Sequence, residues 1–227
     1  MGIYLIFFGL TLASWWVQNS LSKKFSKYGR IPLSYPMSGR DVAIAMLRSH
    51  GINDVIVTSV AGDLTDHFNP VNRTVNLSQS VYATNSIAAA AVAAHECGHA
   101  VQHQVGYSML RLRSALVPAV SFASQWVSWV ILGGILLLQV FVFPYLLLLG
   151  IAMFAITALF SLVTLPVEVD ASRRAMLWLE QSGITQGEST AMAKDALRAA
   201  AYTYVIAALG SLATVIYYLL LFTGSRR

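Results

Sequence analysis

Charge is scarce in this chain of 227 residues. Asp, Glu, Lys and Arg together make up 11% of it, against about 25% in a typical soluble domain. With 56% apolar residues and a mean hydropathy of +0.62, the composition excludes a disordered chain, which needs low hydrophobicity and high charge. It also argues against a free-standing soluble protein. The single cysteine, Cys97, excludes an intrachain disulfide and hence a disulfide-stapled scaffold. No basic stretch precedes the first apolar run and no small-residue cleavage pattern follows it, so that run reads as a retained anchor, not a secretory signal. Internal repeats and low-complexity linkers are absent. The net charge of +5 comes with no nucleic-acid-binding motif, and on a hydrophobic chain it is read as a mark of membrane orientation.

What is present is a set of apolar runs near the length of about 20 residues that a membrane-crossing helix needs. They cover Ile3 to Val17, Leu116 to Leu138, Val140 to Val167 and Tyr202 to Phe222. Trp15 and Trp16 suit an interfacial aromatic belt. Only Gln139 and Pro144 mark a turn between the second and third runs, which are therefore read as a helical hairpin. The chain divides into an anchor at 1–18, a core at 19–114, the hairpin at 115–167, a helical segment at 168–201 and a final span at 202–223. Basic residues gather in the two polar stretches, from Lys23 to Arg113 and from Arg173 to Arg198, so both are expected in the cytoplasm. The N-terminus is then outside, as are Arg226 and Arg227, against the charge rule. Lys23, Lys24 and Lys27 are expected to lie against anionic headgroups.

The first polar stretch has its own structural signals. Ser38 followed three residues later by Asp41 reads as a capped helix start, with Gly51 as its stop. Asp54–Val60 is rich in β-branched residues and reads as a strand. Leu64–Phe68 and Arg73–Leu77 flank the turn Asn69-Pro70-Val71-Asn72 and read as a small hairpin. From Ser86 the alanine-rich run strongly favours a helix. Gly98 inside it costs about 1 kcal/mol relative to alanine, which suggests close packing. Further on, one helix is expected from Pro166 to Gln181, ended by Gly183, and another from Glu188 into the last span.

The alanine-rich helix carries His95-Glu96-Cys97-Gly98-His99. Residues four apart share a helical face, so both imidazoles can converge on one Zn²⁺, with Glu96 placed to act as general base. A catalytic zinc needs a third protein ligand. Glu168, just past the third apolar run, is the best candidate, because a carboxylate at a membrane border demands a partner. Asp170 could serve instead, or could orient a liganding histidine. His103 continues the stripe of His95 and His99 but is expected to be a satisfied helix-end histidine. His67 could donate to a developing oxyanion, against a default of an ordinary turn histidine. Cys97 is expected to be a packed thiol.

The run Leu64-Thr-Asp-His-Phe-Asn-Pro70, then Val81-Tyr82, the segment Ser86 to His103 with its His-Glu-Cys-Gly-His, and Leu165-Pro-Val-Glu-Val-Asp-Ala-Ser-Arg-Arg174 resemble the YugP-type membrane zinc metallopeptidases of bacteria. The resemblance covers most of the chain. It implies a mainly α membrane protein of about four transmembrane helices, with a cytoplasm-facing α+β zincin-like core containing a small β-sheet. It further implies His95, His99 and Glu168 as zinc ligands, Glu96 as catalytic acid and base, and a multi-pass protein of the bacterial inner membrane. Related membrane peptidases often carry an acid four residues after the liganding glutamate; here Ser172 stands in that place. The expected partners are a polypeptide substrate, from membrane or misfolded proteins, and the lipid bilayer. An extended substrate is expected to pair with the strand at Arg73–Leu77. An intramembrane protease and a non-catalytic metal-bound assembly factor are the alternatives.

Overall fold

The computed structural model describes residues 2–141 and 143–224, with side chains from residue 5 onward. Arg226 and Arg227, whose position offends the charge rule, lie outside the described residues. The chain is mostly helical, with one small sheet: α1 (Gly2–Tyr28), α2 (Gly39–Ser49), β1 (Ile56–Val60), β2 (His67–Asn69), β3 (Thr74–Ser78), α3 (Gln79–Tyr82), α4 (Ile87–Gln104), α5 (Ser108–Phe141), α6 (Tyr145–Gln181) and α7 (Glu188–Gly224). It divides into two compact units. One comprises residues 1–16, 111–166 and 203–227; the other comprises 17–110 and 167–202.

Local signals set the elements of the second unit. Ser38 caps α2, accepting from Asp41 N–H while the Asp41 carboxylate accepts from Ser38 N–H. Gly51 takes φ +70° just beyond the helix, a conformation that costs glycine least. Ser86 caps α4 by accepting from Ala89 N–H at 3.1 Å. In the β2–β3 turn, Asn69 Oδ1 accepts from the N–H groups of Val71 and Asn72, the side-chain bonding that makes asparagine a turn residue. Val42, Met46 and Leu47 of α2, Val75 and Leu77 of β3 and the alanines of α4 form the core.

The sheet order is β1-β3-β2. β3 pairs with β1 in parallel, Ile56 opposite Thr74, and with β2 antiparallel, His67 opposite Asn76. The expected β2–β3 hairpin is present, but β3 is the central strand and not an edge. Both of its hydrogen-bonding sides are occupied, and Val75 and Leu77 are fully buried. An added substrate strand therefore has no place at residues 73–77.

In the apolar unit, α5 and α6 form the hairpin expected across Pro144. They approach closely at Gly134, where a Cβ would lie 2.6 Å from the Leu147 backbone nitrogen. Phe122, Trp129 and Leu136 point outward, Trp129 with 69% of its surface exposed. Among the described residues, three helices are long and apolar enough to cross a membrane: α5, α6 and α7. α1, the first of the four spans expected, is not among them. α6 also runs unbroken through Pro166, where a separate helix was expected to begin. A proline removes one backbone donor, and helices with apolar surroundings accommodate that loss.

Candidate metal centre

α4 is buried on nearly every side, which only small residues permit. Its alanines let neighbouring elements approach, and Gly98 is the extreme case: a Cβ there would lie 2.6 Å from the Ala171 carbonyl oxygen of α6. The close packing anticipated at Gly98 is thus the contact that brings the polar segment of α6 onto α4. Glu168 stands one turn before Ala171 and is 3% exposed. Its Oε2 lies 3.1 Å from His95 Nε2 and 3.4 Å from His99 Nε2. The two imidazole rings meet edge to face, with centroids 4.8 Å apart. One donor atom from each of these three residues lies within 4.8 Å of the others.

Each imidazole spends its remaining nitrogen elsewhere. His95 Nδ1 lies 3.1 Å from Ser172 Oγ, and His99 Nδ1 lies 3.0 Å from Gln102 Oε1. The Nε2 atoms are the ones turned toward Glu168. Two imidazole nitrogens and a carboxylate oxygen are a donor set that suits catalytic zinc. Two imidazole nitrogens facing one oxygen of a buried carboxylate converge on one point, which a shared cation would satisfy. The residues present therefore fit a bound zinc ion. Burial alone would lower the His99 pKa, but the nearby carboxylates of Glu168 and Glu96 reverse that and leave it raised.

Glu96 is buried, and its Oε2 accepts from the Phe68 backbone N–H at 3.1 Å. Strand β2 thus ties the glutamate in place. Cys97 packs with its thiol toward the Ala43 carbonyl, and burial first, then the Glu96 charge, pushes its pKa well up. It is the packed thiol expected.

The remaining candidates fall outside the three-residue group. Asp170 is engaged elsewhere: Arg173 and Arg174 each donate to it at 2.6 Å, and Gln102 Nε2 donates at 3.0 Å. It reaches His99 only through Gln102. His67, expected as a possible oxyanion donor, has its ring nitrogens bonded to the Thr65 carbonyl and the Asn76 amide. His103 is exposed, its ring 5.8 Å from that of Phe68. Three participants were not anticipated from sequence. Ser172, read only as standing where an acid was expected, contacts His95. Gln102 carried a faint signal, as an uncharged polar residue one turn past His99 in an apolar helix. The Phe68 N–H is a backbone group and carries none.

The family described as "putative neutral zinc metallopeptidase" matches residues 3–223, and the chain belongs to that family. Among individual proteins it is similar to the "putative membrane protease YugP" of Bacillus subtilis (strain 168), with 39% identity over 226 residues, covering 98% of this chain and 99% of that one. No solved structure matches the chain.

Proposed function

We propose that the chain is a membrane-anchored zinc endopeptidase working on the cytoplasmic side of a bacterial cell membrane. His95, His99 and Glu168 would hold the metal, and Glu96 would move the proton. One observation carries this reading: three side chains turn Nε2, Nε2 and Oε2 to a common point, while both Nδ1 atoms are engaged by other partners. Zinc held there supplies Lewis acidity, polarising a peptide carbonyl and making water more acidic. Glu96 takes the proton of the attacking water and returns it to the leaving amine. Phe68 N–H holds one Glu96 oxygen, which keeps the base in place between turnovers. Phe68 sits on the edge strand β2, so an extended polypeptide adding to that edge would pass the base.

α1 is the fourth anchor in this reading. Its Phe7 ring packs edge-on against Tyr217 of α7 at 5.7 Å. The basic residues of both polar stretches orient the site toward the cytoplasm. α4 is not among the helices apolar enough to cross a membrane, which favours a site beside the bilayer over one within it. The substrates are membrane or misfolded polypeptides.

The test measures zinc content and casein cleavage for the full chain in detergent. Wild type should carry one zinc per chain and lose cleavage to a chelator. Glu96→Gln should keep the zinc and lose cleavage by about 10²- to 10⁴-fold. His95→Ala, His99→Ala and Glu168→Ala should each lose the metal. Cleavage by Glu96→Gln at the wild-type rate, or zinc retained in Glu168→Ala and His99→Ala, would overturn the proposal. A non-catalytic assembly factor would keep its function in Glu96→Gln.

A further inference from the structure

We infer that Gln102 is a positioning residue for the metal centre, holding His99 with its Nε2 lone pair turned to the ion. This rests on the reading of His99 and Glu168 as ligands. Gln102 is fully buried, so water does not replace its contacts. One end of its amide lies 2.8 Å from the Val167 carbonyl oxygen and 3.0 Å from Asp170 Oδ2. A carbonyl and an ionised carboxylate accept and never donate, so that end must be the NH₂ group. Asp170 is kept ionised by Arg173 and Arg174, each bonded at 2.6 Å.

The opposite end of the amide, 3.0 Å from His99 Nδ1, must then be the carbonyl oxygen, and that oxygen accepts only. His99 Nδ1 therefore donates. In a neutral imidazole with the proton on Nδ1, Nε2 carries the free lone pair, and Nε2 is the atom facing Glu168. The chain Arg174–Asp170–Gln102–His99 thus selects both the ring orientation and the tautomer that a metal requires. His95 is held differently. The Ser172 hydroxyl can donate or accept, so it places the ring without selecting a tautomer. Metal ligands commonly owe their orientation to such outer partners, whose loss weakens metal binding by about 10- to 100-fold.

Two readings on the full-length chain in detergent test this. Zinc affinity is measured by competition with a chromophoric chelator. Long-range proton–nitrogen spectra of the zinc-loaded chain, labelled with ¹⁵N-histidine, report which His99 nitrogen holds the proton. Gln102→Leu removes the bridge at similar volume, and Gln102→Glu keeps an acceptor for Nδ1 while setting a second carboxylate against Asp170. Both should lower zinc affinity by about 10- to 100-fold. Wild type should show the proton on Nδ1, exchanging slowly, and Gln102→Leu should exchange it rapidly. That loss marks positioning, since a purely structural defect would lower stability without altering the ring proton.

Undiminished affinity in Gln102→Leu, or an Nδ1–H that exchanges as slowly in zinc-loaded Gln102→Leu as in wild type, overturns the inference alone. A wild-type chain that takes up no zinc overturns the ligand reading and the inference with it. Should Gln102→Leu fail to fold, Gln102→Met serves in its place. It fills a similar volume with no group to accept from Nδ1, and its affinity should fall by about 10- to 100-fold; unchanged affinity with an unchanged Nδ1–H exchange rate overturns the inference.

Discussion

In the apolar unit, large side chains such as Phe122, Trp129 and Leu136 face outward, while Gly134 and Gly150 allow close approach beside the buried Ile131, Leu147 and Ile151. In the unit carrying the metal group, alanines and one glycine fill the centre and the buried polar residues are wired to one another. Glu96 has Phe68 N–H, His99 has Gln102, and Asp170 has two arginines. The apolar unit offers a counter-example in Thr164, whose buried Oγ1 has no hydrogen-bond partner among the described residues. Small residues thus serve different ends. Between apolar helices they permit backbone contact where no hydrophobic force drives association. Around α4 they let a carboxylate from a distant segment reach two histidines.

The sharpest way to break this contrast is Gly98→Val. A Cβ at 98 would already meet the Ala171 carbonyl at 2.6 Å, and backbone cannot swing aside as a side chain can. α4 and the Glu168 segment should separate, at a cost of about 3 kcal/mol and with loss of zinc. Metal content and a thermal melt in detergent measure both; a Gly98→Val chain with full zinc would refute the role given to this contact. Gly134→Val is the matched test in the apolar unit. There a Cβ would meet the Leu147 backbone at 2.6 Å, and a cost of about 2 kcal/mol is expected, with zinc content unchanged. Loss of zinc from Gly134→Val would show that the hairpin also shapes the metal group.

Much of this arrangement was legible in the sequence where the signal is local. Ser38 with Asp41 announced α2, Ser86 announced α4, and the His-Glu-x-x-His spacing set two imidazoles on one face. Glu168 was legible because an acid at the end of an apolar run needs a partner. The rest was lost for identifiable reasons. The strand at 73–77 reads as open to a substrate because its second neighbour, β1, lies on the far side of a connection whose pairing no local pattern encodes. Pro166 reads as a helix start because the rule against interior proline is written for water. The Phe68 N–H that holds Glu96 belongs to the backbone, which looks alike at every position. Gln102 was passed over because its role depends on Asp170 and Val167, more than sixty positions away.

Thr164→Val tests the unpartnered hydroxyl of the apolar unit. Removing a buried donor with no acceptor should raise stability by about 1 kcal/mol, visible as a higher melting temperature with zinc content unaltered. A lower melting temperature would mean that the hydroxyl is satisfied after all.

The smallest effect belongs to the cap of α2, at the edge of the metal-bearing unit. The Ser38 hydroxyl donates to Asp41 Oδ2 at 2.6 Å and the Ser38 N–H donates at 3.0 Å, which holds the Asp41 carboxyl below the usual carboxylate range. The folded chain therefore binds this proton more weakly than the unfolded chain does. The stabilisation is complete above the unfolded pKa of about 3.9 and is lost as pH falls through the lower folded value. Asp41 is 47% exposed at its side chain, so solvent screens the charge and the whole contribution should be about 0.3 kcal/mol. Asp41→Asn should accordingly melt slightly below wild type at pH 7, and the gap should close as the two chains are melted at progressively lower pH. A gap that widens in acid would mean that the carboxyl is stabilised in its protonated form, reversing the role assigned to this cap.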